Sequence, residues 1–147
     1  MSPDSAYTRL SEEPPFTPWV PWTSRRGIPG TATPGVYAVA HFKTPPAGAG
    51  NPVSEAVVYI VQTSHQSLAE RWDQFNRSAR TGKRSHSGGR TYFATFGATK
   101  SSELHLCAFP LSAPGIDHIG TYLLYIESKL LWQYLVAFGR LPICNKG

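Results

Sequence analysis

The residues of this chain best suited to chemistry are two tyrosines in apolar stretches, Gly35-Val36-Tyr37 and Val58-Tyr59-Ile60, followed by Arg71, Glu127 and Asn145. Glu127 is the sharpest of them. At helical spacing its neighbours three and four positions away are Leu123, Leu124, Leu130 and Leu131, so its carboxylate emerges from an apolar face. A lone carboxylate in such surroundings is costly to ionise and calls for a cation or a metal beside it. Two readings are open: a functional site, or a structural ion pair with an arginine such as Arg71. Tyr37 and Tyr59 suit ordinary sheet packing, and the functional alternative directs both hydroxyls at a water and a phosphate. Arg71 could pair locally with Glu70 or Asp73, and Asn145 could be a plain terminal turn residue.

Positioning these groups falls to a short series of elements. Residues 36–42 are β-branched and aromatic between Pro34 and a Pro/Gly-rich connection, which predicts a first strand; residues 56–62 predict a second, antiparallel to it, with Tyr37 and Tyr59 on neighbouring segments. Ser67 and Glu70 fit a capping box, and Leu68, Trp72, Phe75 and Ala79 recur at helical spacing, predicting a helix over about residues 68–80 with Arg71 in its first turn. An arginine there can reach an anion bound beside the sheet. Residues 81–89 read as a Gly/Ser/basic loop, 90–96 as a third strand, and 104–109 as a fourth segment pairing with it. A long helix is expected from Ile116 or Asp117 to about Phe138, closed by Gly139.

Seven prolines in residues 1–34 disfavour helix and central strand, so this stretch reads as an arm, and residues 35–147 as the domain. Phe16, Trp19, Val20 and Trp22 are too apolar for a solvated tail, which places the middle of the arm against the body or against a second subunit. The fold class expected is α+β: a small, mostly antiparallel sheet of three or four strands flanked by helices.

The formal charge is +5, and residues 77–90 carry Arg77, Arg80, Lys83, Arg84 and Arg90 without an acid. A polyanion is the natural partner of such a run, because each neutralised phosphate releases counterions; a solvated basic loop is the alternative. The two cysteines, Cys107 and Cys144, read as buried small hydrophobes in a reducing compartment. With no signal-like amino terminus and no membrane-length apolar run, a soluble, cytoplasmic protein is expected. Phosphate-loop, nucleophile-elbow and His-Glu-x-x-His motifs are not met.

In order, Gly35-Val36-Tyr37, Val58-Tyr59-Ile60-Val61, Arg71, Glu127 and Asn145 resemble the GIY-YIG nuclease superfamily over most of the chain, and among its members the small restriction-type or phage-related enzymes. The resemblance implies a metal-dependent endonuclease that hydrolyses DNA phosphodiesters at one Mg²⁺ or Mn²⁺, with Glu127 as its ligand. It implies Tyr37, and with it His86, as the base, Arg71 as the clamp on the phosphate, Tyr59 as orienter, and Asn145 as the group positioning the scissile strand or the carboxylate helix. Val61 stands where the second signature carries glycine, and Phe75 stands four residues after the arginine, where relatives carry histidine or tyrosine; His86 is the candidate replacement. The basic run would grip DNA, and a homodimer would cut both strands. The alternative is a catalytically weakened nucleic-acid-binding module of the same fold.

Overall fold

The computed structural model describes residues 6–83, 86–97, 100–112 and 116–145. It is α+β, with four antiparallel strands, β1 (Val20–Pro21), β2 (Gly35–His41), β3 (Val57–Thr63) and β4 (Leu104–Pro110), in the order β1-β4-β2-β3. Three α-helices accompany them: α1 (Leu68–Thr81), α2 (Ser87–Phe96) and α3 (Ile119–Phe138). Strand β2 lies between β3 and β4 and is buried along nearly its whole length.

Alternation along the strands divides the core into two layers. Tyr37, Val39 and Tyr59 face Trp72 and Phe75 of α1 and Tyr92 of α2. Val36, Ala38, Ala40 and Ile60 face Leu123, Ile126 and Tyr134 of α3. Helix α1 begins at the expected capping box: Ser67 Oγ accepts the Glu70 N–H at 3.2 Å, and Glu70 Oε1 accepts the Ser67 N–H at 3.2 Å. Helix α3 starts two or three residues later than its periodicity suggested and ends as expected at Gly139, whose φ of 73° suits a residue without Cβ.

The middle of the proline-rich stretch lies against the body. Phe16, Trp19, Trp22 and Ile28 are buried in the chain's own core. Val20 pairs with Leu106 and Pro21 with His105 at the edge of the sheet, where a residue lacking an N–H is tolerated. Trp22 Nε1 donates to Asn76 Oδ1 at 2.9 Å, and Arg26 bonds Asp73 at 2.9 Å, so the segment is fastened to α1. Of the two placements open for its aromatics, against the body or against a second subunit, the first is observed.

The main departure lies at residues 87–96, which form a helix and not a third strand. Thr91, Tyr92, Phe93 and Phe96 have strand preferences, but Gly88, Tyr92 and Phe96 are also spaced four apart, and tertiary packing decides for the helix. His86 caps it through Nδ1, and Gly89 lets it approach α1: a Cβ there would lie 2.6 Å from Ser78 Cβ and 2.7 Å from the Phe75 carbonyl oxygen. With no strand at 90–96 to pair with, β4 pairs with β2 and β1 instead. Among the described residues no helix is long and apolar enough to cross a membrane.

Candidate active site

Antiparallel register sets the two tyrosines diagonally on one face of the sheet: Tyr37 is opposite Val61, and Tyr59 opposite Val39. Their rings meet edge to face with centroids 6.2 Å apart, and Tyr37 also abuts Trp72 at 6.0 Å. Tyr37 is fully buried, and its hydroxyl has no hydrogen-bond partner among the described residues. Burial pushes its pKa well above that of an ordinary phenol; Tyr59 is pushed up to about 12 by the same cause. Phe75, stacked on Tyr59 at 5.8 Å, fills the position where a proton-transferring side chain was sought, and the His86 ring stands edge-on to it at 5.4 Å. His86 thus packs against Phe75. It belongs to the cap of α2 and not to an open loop. Val61 is half-buried and packs into the tyrosine layer.

Gly88 packs against a candidate site residue, a contact that the sequence did not reveal. A Cβ there would collide with Tyr59 Cζ and lie 2.7 Å from the Tyr59 hydroxyl, so α2 seats on the bare backbone of this glycine. Gly88→Ala is therefore expected to displace the Tyr59 ring, costing about 1–3 kcal/mol in chemical unfolding. Unchanged stability in that measurement would contradict the packing described. The adjacent pair of glycines ahead of Tyr92 was the available signal.

Arg71 projects from the first turn of α1, half-buried, with Nη1 donating to Gln74 Oε1 at 2.7 Å. The local acids are engaged elsewhere: Glu70 in the capping box, Asp73 with Arg26 at 2.9 Å and Arg25 at 3.6 Å. Its positive charge acts on three site residues, lowering the pKa of Tyr37, Tyr59 and His86 against or beside the effect of burial.

Glu127 lies on α3, beside the Gln62 backbone of β3. Leu123 is fully buried beside it and Leu130 and Leu131 are half-buried, but Leu124 is 53% exposed, so the apolar wall read from the sequence is open on one side. Burial raises the carboxyl pKa to about 7, opposed by the Gln62 backbone N–H that it accepts. Its charge is felt by both phenols. Among the described residues no cation lies within 4.0 Å of Glu127, so the structural ion pair with Arg71 is not formed.

Asn145 acts on the strand and not on open space. Its Oδ1 accepts the Ile60 N–H at 2.9 Å and its Nδ2 donates to the Ile60 carbonyl at 2.8 Å, while the Cys144 N–H bonds the Val58 carbonyl at 2.8 Å. With Glu127 on Gln62, successive outward rungs of the edge strand β3 are satisfied by the tail and by α3. Both polar atoms of Asn145 are thus committed to β3 beside Tyr59, a role different from positioning a scissile strand or the carboxylate helix. Asn145→Ala is expected to lower stability by about 1–3 kcal/mol in urea unfolding, since two backbone groups lose their partner.

The basic residues lie on α1 and α2 and in the segment between them. Arg77 and Arg80 on α1, Lys83 after it and Arg90 on α2 are exposed, and none has a carboxylate within 4.0 Å among the described residues. Arg84 lies outside the described residues. The cysteines Cys107 and Cys144 are buried and free. No protein-family model matches the chain, and neither a curated protein nor a solved structure shows significant similarity to it.

Proposed function

We propose that this chain is a GIY-YIG-type endonuclease that hydrolyses DNA phosphodiester bonds at a single divalent-metal site. The observation that carries the reading is that Tyr37 and Tyr59 meet edge to face and that the charges of Arg71 and Glu127, on two further elements, both act on these phenols while Arg71 and Glu127 form no ion pair with one another. A carboxylate in apolar surroundings with no cation within 4.0 Å among the described residues fits a hard ion such as Mg²⁺ or Mn²⁺, and the Gln62 side-chain oxygen, buried without a partner among the described residues, adds an oxygen donor on the residue whose backbone N–H Glu127 accepts. Bound there, the metal would stabilise the developing charge on the leaving 3′ oxygen.

The chain's own residues do the remainder. Arg71, with no carboxylate within 4.0 Å of its fork among the described residues, clamps the phosphate as it becomes five-coordinate. Tyr59, wedged between Phe75 and Gly88, orients the attacking water. Tyr37 would act as the base in its phenolate form, its own proton having first passed to bulk solvent; burial disfavours that form and the Arg71 charge favours it. The products are a 5′-phosphate and a 3′-hydroxyl.

DNA is held by Arg77, Arg80, Lys83 and Arg90. Replacing all four with glutamine should weaken binding uniformly across sequences and flatten the dependence of log affinity on log salt by about 0.9 for each phosphate no longer neutralised. An unchanged salt slope in a binding titration would remove this surface from the account. Severing both strands with one-metal sites takes two copies, and the apolar outer stripe of α3, with Leu124, Trp132 and Val136 more than half exposed, is the surface open to a homodimer. The buried free cysteines suit the reducing cytoplasm.

A second reading, a binding module with weakened catalysis, is favoured by one observation: Tyr37 has no exposed surface from which to meet a substrate water. Incubating a labelled duplex with the protein in Mg²⁺ or Mn²⁺ separates the two. Cleavage to 5′-phosphate ends supports the enzyme; tight, salt-sensitive binding without cleavage in either metal supports the module.

A further inference from the structure

His86 lies where α1, α2 and β3 meet, with only 2% of its surface exposed. Its Nδ1 accepts the Gly89 backbone N–H at 3.0 Å and closes the first turn of α2. A ring nitrogen that accepts a hydrogen bond does not carry the proton, so the neutral ring holds its hydrogen on Nε2. That Nε2 is buried and has no partner among the described residues. The neutral form prevails, because burial and then the charge of Arg71 push the pKa down to about 4. Taking up a proton at Nδ1 would sacrifice the helix cap.

Native proteins seldom leave a buried donor unmet, and a ligand acceptor is one resolution. The surroundings specify its chemistry. The imidazole stands edge-on to Tyr59 at 5.9 Å and to Phe75 at 5.4 Å, within the electrostatic reach of Arg71. No carboxylate is within 4.0 Å of it among the described residues. An anionic oxygen is therefore the acceptor that suits both a cation and an N–H donor.

We propose that His86 is a hydrogen-bond donor in the reaction and not its base: the α2 cap fixes the Nε2–H tautomer, which bonds a non-bridging phosphate oxygen of the DNA beside Arg71. The assignment rests on the nuclease reading and leaves proton abstraction to Tyr37.

The test pairs the protein with His86→Asn, since asparagine is a good helix N-cap and keeps the Gly89 contact while withdrawing the Nε2–H. Proton–nitrogen NMR of the parent at neutral pH should show the hydrogen on Nε2; finding it on Nδ1 overturns the proposal without recourse to activity. Single-turnover cleavage of a duplex in Mg²⁺ should fall roughly 10²- to 10³-fold in His86→Asn, with DNA affinity little changed. Sulfur replacing one non-bridging oxygen at the scissile phosphate should slow the parent in one diastereomer only, and that discrimination should vanish in the variant. A variant that cuts within about threefold of the parent and keeps the discrimination overturns the role while the nuclease reading stands. A parent that cuts no DNA in either Mg²⁺ or Mn²⁺ overturns both.

Discussion

Glu127→Gln is expected to abolish DNA cleavage while making the metal-free protein more stable above neutral pH. The glutamine retains an acceptor for the Gln62 N–H and removes the charge that burial opposes. In the parent, the folded-state pKa of about 7 exceeds the value of about 4.3 for an unfolded glutamate, so the folded chain binds more protons between these limits. Its stability should therefore fall as pH rises from about 4.3 to about 7 and stay low beyond. Discounted for a half-exposed group, the effect is on the order of 1–2 kcal/mol. Saturating Mg²⁺ at about pH 8 should restore the melting temperature, because a ligand that binds only the folded state stabilises it by mass action. The variant should show neither this pH slope nor the metal response, which calorimetry over a pH series with and without Mg²⁺ checks. A metal response that survives the substitution would place the ion elsewhere.

Arg71→Ala should be nearly as damaging to catalysis, by roughly 10³-fold or more, the scale seen where an arginine stabilises a phosphoryl transition state. Arg71→Lys should recover little, since an ammonium supplies charge without the planar two-donor fork. Two effects independent of DNA accompany the loss. Arg71 lowers the pKa of His86 and of Tyr59, so in Arg71→Ala both should rise: His86 upward from about 4, and Tyr59 still further from the ordinary phenol value. NMR titration of the His86 ring reads the first directly. Cleavage within about tenfold of the parent would remove Arg71 from the phosphate site.

Much of the architecture was legible because its signals are local. Ser67 and Glu70 announce the start of α1, Gly139 closes α3, and the β-branched and aromatic residues of 36–42 and 56–62 announce the hairpin, observed over Gly35–His41 and Val57–Thr63. The strand expected at 90–96 misled because the preferences of Thr91, Tyr92 and Phe93 are local, whereas the decisive contacts are not: Gly88 against Tyr59, and Gly89 against Phe75 and Ser78, become visible only once α1 and β3 are in place. The N-terminal stretch follows the same logic. Its prolines exclude a central strand, yet nothing local says that Val20 pairs with the distant Leu106 or that Trp22 bonds Asn76.

For the candidate site, the sequence supplies the residue types and their order, and their surroundings come only with the fold. The unpaired state of Glu127 and the electrostatic reach of Arg71 follow from tertiary placement, as does the commitment of Asn145 to the Ile60 backbone. The left-open choice for Glu127, ion pair or site, turns on a distance that no spacing encodes. His86 was found by chemical need alone, and its tautomer is set by a backbone N–H three residues on.

The most direct test of the central claim is the conversion of supercoiled plasmid to nicked and linear forms in Mg²⁺, with the parent, Glu127→Gln and Arg71→Ala assayed side by side. A one-metal phosphodiesterase built from these residues predicts cutting by the parent and none by either variant, with all three still binding DNA. Cutting by Glu127→Gln at the parental rate, or the absence of Mg²⁺- or Mn²⁺-dependent cutting by the parent, would contradict it.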